Sequence, residues 1–213
     1  MNIKTQIKSH ELIDEKHARI AQAAVSLFIK KGFHQTSIRE IADASHMSMG
    51  LLYKYISSKD DVLYLAYQQI HKENVEGISS EKIQELRDPR EKLKKSMGIM
   101  LKQIQREHKK YLFVYTESKF LSRDALRSVL EKENIIIEHF REIIEEGIKL
   151  GQFDIQQAPL AASIISLLLM IDPLRGWSFR QKYSPDFSIR YLIDFCLRAI
   201  STEDQKKARR KTK

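Results

Sequence analysis

Hydrophobic positions recur along this chain at three- and four-residue spacing, and the polar residues between them punctuate a series of helices. Ile20, Ala24, Leu27 and Phe28 share one face of a first helix that ends at Gly32. Ser37 with Glu40 three residues on spells a capping box, so a second helix starts there and buries Ile38, Ile41 and Ala42 over about two turns. A turn falls at Ser45-His46, after which Ser48 can cap a third helix. Ser57-Ser58-Lys59-Asp60-Asp61 supplies a cap and an acidic first turn for a fourth, with Val62, Leu65, Ala66 and Ile70 facing inward. Gly77 and the polar run Ser79-Ser80-Glu81 mark the softest internal boundary. Beyond it, Asp88-Pro89 opens a fifth helix carrying Leu93, Met97, Met100, Leu101 and Ile104. Tyr111-Leu112-Phe113-Val114-Tyr115 continues into a sixth. Ser122 restarts the chain, and Val129, Ile136, Phe140, Ile143 and Ile144 trace a long seventh that ends near Gly151. Pro159 opens an apolar eighth, broken by Pro173 before Trp177; after Ser184-Pro185-Asp186, Ile189, Leu192, Ile193, Cys196, Leu197 and Ile200 make an amphipathic ninth.

Strand signals are scarce. There is no sustained alternation and no Asn-Gly or Asp-Gly hairpin pair, and the seven Gly and four Pro leave few places to turn, so an all-α architecture is expected. The single Cys196 cannot form an internal disulfide, and the polar start lacks the apolar core of a signal peptide, which makes the cytoplasm the expected compartment. The longest apolar stretch, Leu160 to Ile171, is well short of the roughly twenty residues of a spanning helix. Net charge changes the picture by its placement. Of the total of +9, residues 1–60 carry nine Lys/Arg against six Asp/Glu and residues 203–213 carry six against two, so the excess sits at the two ends. Lys and Arg release counterions when they meet a nucleic-acid backbone, which accounts for the first cluster. The tail Lys206-Lys207-Ala208-Arg209-Arg210-Lys211-Thr212-Lys213 reads as a solvated terminus.

The stretch from Thr36 to Tyr55 spells two short helices around a tight turn, the second almost free of acid, which is how a helix-turn-helix that enters a DNA major groove is written. Its second helix is expected to show Met49, Lys54 and Tyr55 on its exposed side. At these residues the chain resembles the TetR family of bacterial one-component transcriptional regulators. The resemblance runs through Ile20-Ala21-Gln22-Ala23-Ala24, Leu27-Phe28, Gly32, Thr36-Ser37, Ile41-Ala42, Ser48, Gly50, Leu52-Tyr53 and Tyr55 to Ser58-Lys59. Two positions depart from the family pattern: His46 stands where glycine is usual in the turn, and Ile56 where phenylalanine is usual. His is enriched among non-glycines in the left-handed region, and Ile56 still fills a core.

The resemblance implies a three-helix DNA-binding domain over residues 15–76, with its helix-turn-helix at about 37–56, preceded by a flexible basic arm at 1–14. A helical effector-binding and dimerisation domain over 77–202 and the basic tail 203–213 complete a chain of about nine helices. By resemblance Met49, Leu51 and Lys54 face the groove, while Ser37, Ser48, Tyr53, Tyr55 and Lys59 match positions that meet phosphates. Hydroxyls fix register on phosphate oxygens, Lys54 can donate to guanine acceptors, and Met49 or Leu51 can touch a thymine methyl. Arg39 is balanced between a phosphate contact and a solvent-facing charge.

The family pairs two subunits through its last two long helices, and the eighth and ninth segments carry more apolar surface than one small domain needs. Ile189, Ile193, Cys196, Leu197 and Ile200 are accordingly expected at a dimer interface. Such a homodimer would set two reading helices about one DNA turn, roughly 34 Å, apart and would suit a palindromic operator. Segments 115–121, 147–153 and 169–177 are diffusely similar to regulators of lipid breakdown in this family that respond to fatty acyl-CoA. That similarity implies a repressor released by a small hydrophobic effector such as a long-chain fatty acyl-CoA. A pocket of Met100, Ile104, Phe113, Phe120, Phe140, Leu167 and Trp177 would suit the acyl chain, although the same residues also serve as ordinary core. The runner-up is a multidrug or other small-molecule sensor controlling efflux genes. Other classes lack support: there is no Gly-rich phosphate loop, His-Glu-x-x-His or Gly-x-Ser-x-Gly, so no enzyme, metal or cofactor is expected. A basic helical protein on a membrane surface would line one long apolar face with its charges, which this chain does not.

Overall fold

The computed structural model describes residues 3–202, apart from the side chains of Glu81 and Lys82; the basic tail named above lies outside the described residues. Every regular element among them is helical. The chain divides into two compact units, one built from residues up to Glu73 together with Lys109–Lys132, the other from Asn74–His108 and the chain from Glu133 on. A linear cut after residue 76 therefore does not match compactness, because a segment from the middle of the chain returns to the first unit.

The first unit begins with α1 (His10–Lys31), capped by Ser9, whose hydroxyl accepts from the Leu12 amide. It ends at Gly32, which adopts φ +84°, a value that L side chains rarely reach. The first helix thus starts five residues earlier than the expected 1–14 arm allows. Helices α2 (Ile38–Ala44) and α3 (Met49–Leu52) follow, then α4 (Lys59–Ile78). Asp61 accepts the Ser57 and Ser58 amides, at 2.8 and 3.0 Å, and Ser58 accepts the Asp61 amide in return, so α4 opens on a reciprocal cap. Helix α7 (His108–Glu117) and a 3-10 turn at Ser118–Phe120 pack on this unit through rings: Phe113 stacks on Phe28 at 5.6 Å and Phe120 on Phe33 at 5.8 Å. The Tyr67 hydroxyl donates to the Val114 carbonyl, and Tyr64 is hydrogen-bonded to Ser128 on α8 (Arg123–Lys149).

In the second unit the short α5 (Glu81–Gln84) leads to α6 (Pro89–Arg106), whose Asp88 cap accepts the Arg90 amide and whose first residue is proline. The latter part of α8 runs here, and Lys92–Glu146 and Ser96–His139 contacts join it to α6 at 3.0 and 2.9 Å. Burial, and then the nearby Lys92 charge, push the His139 pKa down, so the ring is neutral at this contact. Phe153 lies against Gly147 so closely that a Cβ there would meet its ring at 2.1 Å. Helix α9 (Ala158–Leu169) gives way at Met170 to the short α10 (Ile171–Arg175), which places the break three residues before Pro173. A 3-10 turn at Gly176–Ser178 precedes α11 (Pro185–Ile200), which lies along α6. No single helix among the described residues is long and apolar enough to cross a membrane.

Candidate nucleic-acid interface

Local chemistry builds the reading head. Glu40 accepts the Ser37 amide at 2.9 Å while the Ser37 hydroxyl accepts the Glu40 amide at 3.2 Å, the reciprocal box that the spacing predicts. Lys31 pairs with the same carboxylate, and this contact, followed by the Ser37 amide and hydroxyl, holds Glu40 down to about 2. In the turn, His46 takes φ +54°, the left-handed conformation in which the family pattern has glycine. Ser45 is buried; its hydroxyl donates to the Ile41 carbonyl at 2.7 Å, and its own carbonyl accepts from the Arg19 guanidinium at 2.8 Å. Met47 and Leu52 anchor the two ends of the turn and reading helix in the core.

Ser48 caps α3 by accepting the Leu51 amide at 3.2 Å. Ser37, Arg39, Ser48 and Lys54 are exposed, Met49 and Leu51 half-buried, and Tyr53 is 46% exposed. All of them are at least partly open to solvent. Tyr55 does not join them. It is 2% exposed, its ring lies edge-on to His17 at 6.4 Å, and its carbonyl accepts from His17 Nε2 at 2.8 Å. The expectation that Tyr55 sits on the exposed side is thus corrected: α3 closes after Leu52, and the following turn swings the ring inward. Lys59 is occupied within the unit, its ammonium 4.4 Å over the Phe33 ring and donating to the His34 carbonyl at 3.2 Å, and burial pushes its pKa down. Arg19 and His17, which brace the turn and the end of the reading helix, were not legible as functional positions because their partners lie 26 and 38 residues away.

The second unit revises two further sets. Of the expected pocket residues, Phe113 and Phe120 belong to the first unit. Met100, Ile104 and Phe140 are buried on α6 and α8 of the second. Leu167 and Trp177, expected to line an interior, are 60% and 74% exposed, because α9 is apolar on more faces than its own core covers and Trp177 stands in a surface turn. The expected interface residues are also corrected. Ile189, Cys196, Leu197 and Ile200 are buried within the subunit, and Ile193 reaches to 3.7 Å of where a Cβ on Gly98 of α6 would lie. Burial pushes the Cys196 thiol up to about 11. What α11 shows to solvent is Phe187, Tyr191 and Phe195; α9 shows Leu160, Ile164 and Leu167. The two helices share a shallow groove containing Leu160, Ile164, Phe195 and Ala199. A larger apolar groove of about 480 Å³ adjoins it, bounded by Leu101, Leu168, Phe179, Phe187 and Tyr191, with Asp172 held by a two-pronged Arg180 contact at 2.9 Å.

A capped turn leading into a short, acid-free helix that carries a thioether, with the basic Lys54 just beyond its end, is the form of a helix-turn-helix DNA-binding protein. Residues 20–64 match the model of bacterial regulatory proteins of the tetR family, and residues 86–177 match that of the tetracyclin repressor-like C-terminal domain. The chain belongs to the TetR family, whose members are transcriptional regulators and not enzymes. It is 32% identical over 85 residues to the HTH-type transcriptional regulator HbdR of Aromatoleum sp. strain CIB, a match covering 37% of each protein. It is 25% identical over 141 residues to the fatty acid metabolism regulator protein of Bacillus subtilis strain 168, covering 64% of this chain and 70% of that one. The structure of the fatty acid degradation regulator FadR from Bacillus halodurans superposes with a TM-score of 0.70 at 25% identity, covering 90% of this chain and 97% of FadR. The chain spans less than half the length of several of the curated relatives it matches.

Proposed function

We propose that this protein is a ligand-responsive transcriptional repressor that binds a palindromic operator as a homodimer and leaves it when a small hydrophobic effector binds. The reading is carried by α3 and the turn that follows it: the helix is capped by Ser48 and anchored by buried Leu52, Arg19 and His17 brace the turns on either side, Met49 and Leu51 are half-buried on the helix, and Tyr53 and Lys54 are exposed just beyond it. Ser37 and Arg39 on the neighbouring helix meet backbone phosphates, and Lys54 reads a base edge. Two copies join through the exposed apolar face of α9 and α11, since Leu160, Ile164, Leu167, Tyr191 and Phe195 are all about half or more exposed and a partner surface would take them out of water.

The effector in this reading is a long-chain fatty acyl-CoA, supported by likeness to proteins named as regulators of fatty acid metabolism and degradation. Each buried methylene adds about 0.8 kcal/mol, so affinity climbs steeply with acyl length until the pocket is full. Release follows because the ligand prefers the conformation whose reading heads are badly spaced; equal affinity for both states would shift nothing. Titration of the protein–operator complex with acyl-CoAs of increasing length tests this. Release by long chains and not by short ones supports the reading. Flat responses across the series, with release by cationic or aromatic drugs, would replace it with a multidrug sensor.

A further inference from the structure

The residues before α1 were expected to be a loose arm. Instead, Ile3 to Lys8 lie against the reading head in a regular alternation: Ile3, Thr5 and Ile7 are half-buried, while Lys4, Gln6 and Lys8 are exposed. Two backbone contacts hold the segment in place. The Gln6 amide donates to the Lys54 carbonyl at 2.9 Å, and the Ser57 hydroxyl donates to the Lys4 carbonyl at 3.4 Å. Thr5 adds a local turn, its hydroxyl accepting the Ile7 amide at 3.0 Å. The arm therefore runs beside the exit of α3, next to the residue assigned to base readout, and turns its two lysines outward.

Several other cations of this region are held within the unit. Arg19 holds the Ser45 carbonyl, Lys31 pairs with Glu40, Lys16 pairs with Glu15, and Lys59 is held by Phe33 and His34. Lys4 and Lys8 make no ion pair among the described residues. Lys4 and Lys8 stand on either side of a bend at Gln6 and are both exposed, so they are separate charges that can serve different phosphates.

We propose that the Ile3–Lys8 arm is a second DNA-contacting element, in which Lys4 and Lys8 meet the sugar-phosphate backbone of duplex DNA beside the groove that α3 enters. The proposal rests on the reading of α3 as a DNA-reading helix. Backbone contacts carry no sequence information, so the arm contributes affinity and leaves the operator preference to α3.

The test uses the full chain and a duplex chosen by selection from a random pool, with binding followed as a function of KCl concentration. Lys4→Ala/Lys8→Ala should lower affinity about tenfold or more at 0.1 M salt and make the slope of log K against log salt shallower by about 3.6 for a bound dimer, two phosphates per chain at about 0.9 each. The loss should be the same on the selected duplex and on single-mismatch versions, with an unchanged thermal melt. Lys4→Gln alone should produce about half the change in slope. An unchanged slope in the double variant overturns the proposal while leaving α3 as the reading helix. A loss concentrated at one base pair overturns it in favour of base readout by the arm. If the parent chain selects no duplex, the reading of α3 fails and the proposal falls with it.

Discussion

The two compact units solve opposite problems with the same helices. In the first, polar and cationic groups around α3 face water while the apolar side chains close inward on Phe28, Ile41, Leu52 and Ile56. In the second, α9 and α11 bury one stripe and leave another equally apolar stripe in solvent, from Leu160 and Ile164 to Tyr191 and Phe195. A surface that is finished chemically is ready for a polar partner such as DNA, whereas one left apolar asks for another protein surface. In the proposed reading this contrast places recognition of nucleic acid in the first unit and self-association in the second.

The largest effect should come from confusing the two stripes of α11. Leu197→Ala opens a void in the buried stripe of α11 and should cost about 2–5 kcal/mol in chemical denaturation, because Leu197 is buried. Phe195→Glu, two residues away and half exposed to solvent, should leave each chain folded, convert the dimer to a monomer in sedimentation, and weaken operator binding about a hundredfold or more through lost avidity. A Phe195→Glu protein that stays dimeric would move the interface off this face.

Within the reading head the effects are smaller and differ in kind. Lys54→Ala should lose about 1–3 kcal/mol of discrimination at one base pair, while Tyr53→Phe should weaken binding evenly across sequences. Equal affinity of both variants and the parent for a selected duplex, at the same salt, would contradict the roles given to them. The smallest effect concerns the cap of α2. Ser37→Ala should cost about 1 kcal/mol of stability. The Glu40 carboxyl is held below its ordinary 4.5, down to about 2, so its contribution is fully present above pH 4.5 and lost as pH falls toward 2. Glu40→Gln should therefore flatten the acid limb of the stability curve in that window, measured by denaturation at stepped pH. An unchanged acid limb would show that the Lys31 and Ser37 contacts contribute nothing in solution.

What the sequence discloses follows the range of the interaction. The caps at Ser37, Ser48 and Asp88 were legible because each is completed by an amide two or three residues away. The left-handed His46 was legible from the family resemblance, in which glycine is usual at that position. The orientation of α11 was not. Apolar residues also stand outside the stripe that periodicity names, at Tyr191 and Phe195, so that stripe could serve core or interface alike, and packing on α6 puts it in the core. Tyr55 misled for a related reason, since a phenol suits phosphate contact and core alike, and the short length of α3 settled the matter. The return of residues 109–132 to the first unit depends on ring stacking between Phe28 and Phe113 and between Phe33 and Phe120, at separations no local pattern encodes.

The central claim, that two copies of α3 read DNA in a fixed symmetric relation, is most directly tested by selecting duplexes from a random pool with the full chain and measuring how many chains bind each. The account predicts an inverted repeat with half-site centres about 10–10.5 base pairs apart, or a multiple of that, carrying two chains per site or a whole number of such pairs. Selection of no defined sequence, or of a single half-site bound by one chain, would contradict it.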